Sequence, residues 1–116
     1  MGLTEFTDGG LFSPRKMAAT LRTTIEEIAR TTGLGMDAIR HRDHIRSSNT
    51  QHRLREMAEI VNKVEPRFGS APMAYAWYRS EPLPGFSNMT AMQVVRDGRA
   101  DEILVYIDAV DAGVHA

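Results

Sequence analysis

The stretch TIEEIARTTGLGMDAI, residues 24–39, decides how the first half of the chain folds. Thr24 is followed three residues later by a glutamate, which is the spacing of a helix capping box, and Gly33 is placed to end that helix in a left-handed conformation. Ala29, Gly33 and Ile39 are four and six positions apart, the spacing that a helix-turn-helix requires. The stretch therefore predicts two helices joined by a glycine turn, an arrangement that aims the second helix at a DNA major groove.

Basic side chains surround the predicted turn. Residues 14–55 contain nine Lys and Arg against four Asp and Glu, as in a surface that faces a polyanion. Positions 35–37, which begin the second helix, carry Gly, Met and Asp, so we expect salt-sensitive contacts to phosphates and few contacts to bases. A helical hairpin that serves only dimerisation is the alternative. The residues predicted to bind DNA are Arg40, His41, Arg42, Arg46 and Arg53.

The rest of the chain also reads as helical, and no segment has the alternating pattern of a strand. Residues 1–12 contain a Gly-Gly pair and no apolar periodicity, so we expect a flexible arm. The predicted fold class is all-α. A helix-turn-helix bundle that binds DNA, residues 13–66, is followed by a small helical domain that binds a partner, residues 67–116.

Local signals place the predicted helix ends. Ser13 before a proline is typical of a helix start, and residues 36–45 are expected to form one further helical segment. A long helix capped within residues 49–50 should end at Pro66, because the residue before a proline avoids helical angles.

The composition excludes several locations and kinds of site. The chain has no cysteine, so disulfides and thiolate metal sites are excluded and a reducing cytoplasm is the expected location. No apolar run is long enough for a signal peptide or a membrane span, so no membrane partner is expected.

Residues with catalytic or metal-binding chemistry do not form a recognisable set. His41 and His44 could share a helix face, but zinc usually takes three or four protein ligands, so we expect no metal. No group has the spacing of a catalytic triad, a carboxylate pair or a phosphate-binding loop. We therefore expect neither an enzyme nor a cofactor.

The second half of the chain is acidic and carries three motifs in a fixed order. Residues 81–116 contain two Arg against six Asp and Glu, which suggests a partner opposite in character to DNA. The motifs are AYAWYRSEPLPGF, TAMQVVRDG and ILVYIDAVDAGV, with Trp77 in the first. Together they resemble the C-terminal toxin-binding domain of the Xre/MbcA/ParS antitoxins. Thr90 stands where that family often has a proline, and threonine caps helices well.

The resemblance implies a specific partner. Antitoxins of this family neutralise RES-domain toxins that consume NAD, cover the NAD pocket of the toxin, and bind their own promoter as a complex. A pocket for an anionic pyrophosphate presents basic groups, so an acidic last helix suits it electrostatically. We expect Trp77, Ile103 and Ile107 to lie in the core. From their position, the predicted toxin contacts are Asp108, Asp111, Gly113, Val114, His115 and Ala116.

Other functions stay open at this point. The chain could be a stand-alone transcription regulator whose acidic half only dimerises, or an adaptor that binds no DNA. A homodimer is expected because operators tend to be two-fold symmetric. Candidate dimer contacts, chosen by residue type alone, are Leu11, Phe12, Met89 and Met92.

Overall fold

The computed structural model describes residues 2–113 and is mostly helical, with one two-stranded sheet, so the predicted all-α class is confirmed. Short 3-10 turns cover Leu3–Phe6 and Pro84–Phe86. In this part of the chain the α-helices are α1 (Pro14–Leu21), α2 (Ile25–Thr32), α3 (Met36–Arg40), α4 (Arg42–Ile45), α5 (Ser48–Phe68), α6 (Ala71–Ser80), α7 (Ala91–Arg96) and α8 (Ala100–Asp111).

The segment predicted as a flexible arm is folded onto the core. Strand β1 (Thr7–Asp8) pairs antiparallel with β2 (Leu11–Phe12) through a two-residue Gly-Gly loop whose φ angles are +59° and +84°. Such a primed turn needs positive φ at both positions, which glycine adopts freely. Phe6 is fully buried and Phe12 is 5% exposed. The prediction of a flexible arm is wrong for residues 2–12, because these two rings are buried in the core. The prediction of no strand is also wrong there, because β1 and β2 pair.

Two predicted helix limits also need correction. The long helix α5 is capped by Ser47, whose hydroxyl accepts from the Thr50 amide, rather than within residues 49–50. It continues through Pro66 and ends at Gly69, which has φ +78° and bonds the Glu65 carbonyl. Pro66 lies in the last turn, so the one backbone N–H donor that it lacks does not stop the helix.

Both halves of the chain build one hydrophobic core around α5. The buried stripe of α5 contacts α2 of the first half and α6, α7 and α8 of the second half. The boundary predicted after residue 66 falls inside this helix. Among residues 2–113, none of the helices is both apolar and long enough to cross a membrane.

Phe6→Ala tests whether the first segment belongs to the core. Removing a fully buried phenyl ring should lower the free energy of unfolding by about 3–5 kcal/mol. The measurement is urea unfolding, with Leu11→Ala as the control because that hairpin side chain is 36% exposed and should lose far less. Equal, small losses in both variants would restore the flexible-arm interpretation.

Candidate nucleic-acid and partner surfaces

The first helix and the glycine turn of the helix-turn-helix predicted in residues 24–39 are present. The Thr24 hydroxyl accepts from the Glu27 amide at 3.1 Å and begins α2. The Glu27 carboxylate pairs with Arg30 at 2.7 Å instead of reaching back, so only half of the capping box forms. Gly33 ends α2 at φ +77°, and the flanking Ala29 and Ile39 are both 3% exposed.

The segment after the turn is shorter than predicted. Residues 36–45 do not form one helix, because His41 has φ −109° and ψ 133° and separates α3 from α4. No residue of α4 is buried, so little packing favours a continuous helix there. The Nδ1 atom of His44 instead lies 2.8 Å from the Asp37 carbonyl and ties the two pieces together. A recognition helix of five residues has few positions that face a groove.

The basic residues on α3 and α4 lie on the surface. Arg40, Arg42 and Arg46 are exposed, and none of them forms an ion pair with a carboxylate of the described residues. His41 is exposed as well, and its ring packs edge-on against His44 at 5.2 Å between centroids. Four of the five residues predicted to bind DNA are therefore accessible to solvent.

Arg53, the fifth predicted DNA-binding residue, is used inside the fold. Its side chain is only 17% exposed, and its guanidinium donates to the Val95 carbonyl at 3.1 Å and to Glu56 at 3.3 Å. A β-carbon at Gly33 would come within 2.5 Å of Arg53 Nη2 and push this guanidinium aside, and the positive φ angle of the turn independently favours glycine. These contacts hold Nη1 of Arg53 within the fold, so Arg53 is the least accessible of the five residues predicted to bind DNA, and its role there stays a prediction.

Arg53→Met tests this structural role. Loss of the charged hydrogen bonds should lower the free energy of unfolding by about 1.5–3 kcal/mol. Arg40→Met is the control, and we expect a change within about 0.5 kcal/mol because Arg40 is exposed and unpaired among the described residues. Chemical denaturation measures both. An Arg53→Met protein as stable as the control would contradict this role.

Two buried tyrosines of α6 hold the helix-turn-helix against the second half. The hydroxyl groups of Tyr75 and Thr31 lie 2.9 Å apart, and the Tyr78 hydroxyl donates to the Thr31 carbonyl at 2.7 Å. That carbonyl belongs to the last turn of α2, where helical partners are missing. Desolvation by burial raises the pKa of both Tyr75 and Tyr78 above the ordinary value.

The raised tyrosine pKa values make stability depend on alkaline pH. In the unfolded chain both phenols ionise near pH 10, whereas in the folded protein they stay neutral to higher pH. Their contribution is complete below about pH 10 and is lost as the pH rises further. Urea unfolding between pH 8 and 11 should show this fall, and it should weaken in Tyr75→Phe/Tyr78→Phe. An unchanged fall in that variant would assign the effect to other groups.

The last helix, α8, is anchored by its apolar stripe and by two ion pairs. Ile103 and Ile107 are fully buried, as predicted, whereas Trp77 is half-buried at the edge of the core. Two carboxylates predicted to contact a toxin form pairs within the chain. Asp108 lies 2.6 Å from Lys63, and Asp111 lies 2.6 Å from Arg67.

The other predicted toxin contacts are at the end of the chain. Gly113 is exposed and is the last described residue, with φ +77°. Val114, His115 and Ala116 lie outside the described residues.

One exposed face of α8 combines Asp108, a predicted toxin contact, with Asp101 and Val105, which were not predicted as contacts. Asp101, Val105 and Asp108 are at i, i+4 and i+7 and all lie on the surface, with Val105 67% exposed. We call these three residues the outer face of α8. A signal was available, because Val105 is apolar and falls outside the inward stripe that contains Ile103 and Ile107.

The candidate dimer contacts divide into two pairs. Phe12 and Met92 are buried in the core, at 5% and 8% exposure, so they cannot contact a second copy without unfolding. Leu11 is 36% exposed and Met89 is half-buried, so both are still available.

The described residues contain no group of three or more His, Cys, Asp or Glu arranged to hold a metal ion. No protein-family model, curated protein or solved structure matches the chain.

Proposed function

We propose that the protein is an antitoxin that binds and neutralises a RES-domain, NAD-consuming toxin and represses its own promoter, acting as a homodimer. One observation carries the proposal: the three motifs that resemble the family lie in order on a helix with its loop, a short helix and a last helix. A helix bearing Trp77 is followed by a Pro/Gly loop, by the short helix α7, and by α8. Thr90 begins α7 with a complete capping box to Gln93, so the departure from the family pattern leaves the helix intact.

The proposed DNA surface consists of the exposed cations on α3 and α4. Arg40, Arg42 and Arg46 have no described carboxylate partner, so their donors are free for phosphates. The short α3 favours binding that is mostly electrostatic, since few of its side chains can reach base edges. Such binding should weaken steeply with salt.

The proposed toxin surface is the outer face of α8 together with the chain end that follows. Val105 supplies an exposed apolar centre, and Asp101 and Asp108 supply charge on either side of it. The pairs of Asp108 and Asp111 with α5 are solvent-exposed, and such surface pairs contribute only about 0–1 kcal/mol. Basic groups at the mouth of a toxin pocket could therefore replace Lys63 and Arg67 as partners of these aspartates at a small cost in free energy.

A stand-alone transcription regulator is the second candidate, and one observation favours it. Because Lys63–Asp108 and Arg67–Asp111 join α8 to α5, two of the acidic residues already have a role within the chain. In that case the acidic half stabilises the fold and dimerises, and no toxin is bound.

Co-expression with the protein encoded beside its gene tests the proposal, which expects that neighbour to be a RES-domain toxin. We expect the two proteins to purify together and cellular NAD to be preserved. Val105→Lys should weaken the complex at least about tenfold, equivalent to about 1.4 kcal/mol, because it places a cation at the centre of the contact face.

Met73→Lys is the matched control for Val105→Lys, since Met73 is 56% exposed on α6 and outside the proposed surface. If the parent protein binds promoter DNA but neither binds the toxin nor preserves NAD, the antitoxin assignment fails and the regulator assignment stands. Equal weakening by both variants would remove the outer face of α8 from the proposal.

A further inference from the structure

The β-hairpin is fixed rigidly to the start of α5 by one side chain. Gln51 Oε1 accepts from the Phe12 amide at 2.8 Å, and Gln51 Nε2 donates to the Phe12 carbonyl at 2.9 Å. The same amide nitrogen also donates to the Ile45 carbonyl at the end of α4, again at 2.9 Å. The hairpin, α4 and α5 therefore form one pre-organised unit.

An open groove of about 290 Å³ lies between the hairpin tip and α5. Gly10 and Leu11 line one side, and Ser48, His52 and Arg55 line the other at i, i+4 and i+7, which is one face of the helix. Its lining contains two basic side chains and, among the described residues, no carboxylate. Arg55 therefore gives the groove a positive charge that suits an anion.

The two basic side chains of the groove are exposed, and each also contacts a glutamate of α5, with His52 Nε2 3.4 Å from Glu56. The side chains of Arg55 and His52 are 64% and 68% exposed. The Arg55 guanidinium is 3.9 Å from Glu59, a long contact that leaves donors for a further acceptor. It also lies over the Phe12 ring at 5.7 Å, which orients it toward the hairpin. A planar guanidinium held in this way suits a phosphate.

We infer that this groove holds a backbone phosphate of the DNA duplex, as a second contact beside the cations of α3 and α4. The inference rests on the proposed function and deepens it. Arg46 is followed directly by the cap of α5, so the two basic surfaces are consecutive along the chain. The hairpin acts as the wall of a phosphate site, and the bound duplex spans α3, α4 and the start of α5.

The test is the salt dependence of binding to a fluorescent duplex from the promoter of its own gene, measured by anisotropy. Arg55→Gln should lower the magnitude of the slope of log K against log salt by about 0.9, the value for one phosphate contact. Arg55→Lys should keep the slope, since it keeps the charge. An unchanged slope in Arg55→Lys would indicate an electrostatic role for Arg55, as opposed to a packing role against Phe12.

Arg99→Gln is a closely matched control on the acidic half. Arg99 also pairs with a glutamate, Glu102, and lies over a phenyl ring, Phe86, at 5.8 Å. Its slope should equal that of the parent protein. Thermal unfolding of each variant verifies folding.

The outcomes separate the two claims. If Arg55→Gln leaves the slope unchanged while Arg40→Gln/Arg42→Gln lowers it, the groove inference is overturned and the proposed DNA surface stands. If the parent protein shows no salt-sensitive binding to the duplex, both the inference and the DNA part of the proposed function fail.

Discussion

Burial of one face of α5 is the constraint on which the rest of the structure depends. Leu54, Met57, Val61 and Val64 are fully buried along this helix, which contacts elements from both ends of the chain. Each such side chain contributes about 1.5–3 kcal/mol from burial, before conformational entropy is subtracted. For a domain whose net stability is about 5–15 kcal/mol, that stripe joins the basic and acidic halves into one folding unit.

Polar contacts then fix the helix-turn-helix at a defined position on this core. Thr31 is held by two tyrosines of α6, and Gly33 is packed against the guanidinium of Arg53, which is bonded to α7. A close-packed interior shifts between discrete arrangements instead of deforming gradually. For the DNA binding proposed above, a partner that preferred one arrangement of α7 would change the affinity by linkage, without touching the proposed DNA surface.

The sequence predicted what local chemistry decides, and missed what depends on distant contacts. The caps at Ser13 and Thr24, the glycine end of α2 and the buried stripe of α8 follow from neighbouring residues, and they are present. The hairpin was missed because its strands have two residues each and depend on Gln51, 39 positions away. The structural contacts of Arg53 were missed for a similar reason, since its partner Val95 is 42 positions away.

How easily a contact can be exchanged decides which predicted site residues are still candidates. The Arg53 side chain is only 17% exposed, and its Nη1 donates to both the Val95 carbonyl and Glu56, so a phosphate that took this nitrogen would break two hydrogen bonds. Asp108 is paired too, but its pair with Lys63 is open to water and of small net value. Pairing therefore makes Arg53 a weaker candidate for the proposed DNA surface than Asp108 is for the proposed toxin surface, because solvent replaces the lost partner of an exposed group more readily than that of a largely buried one.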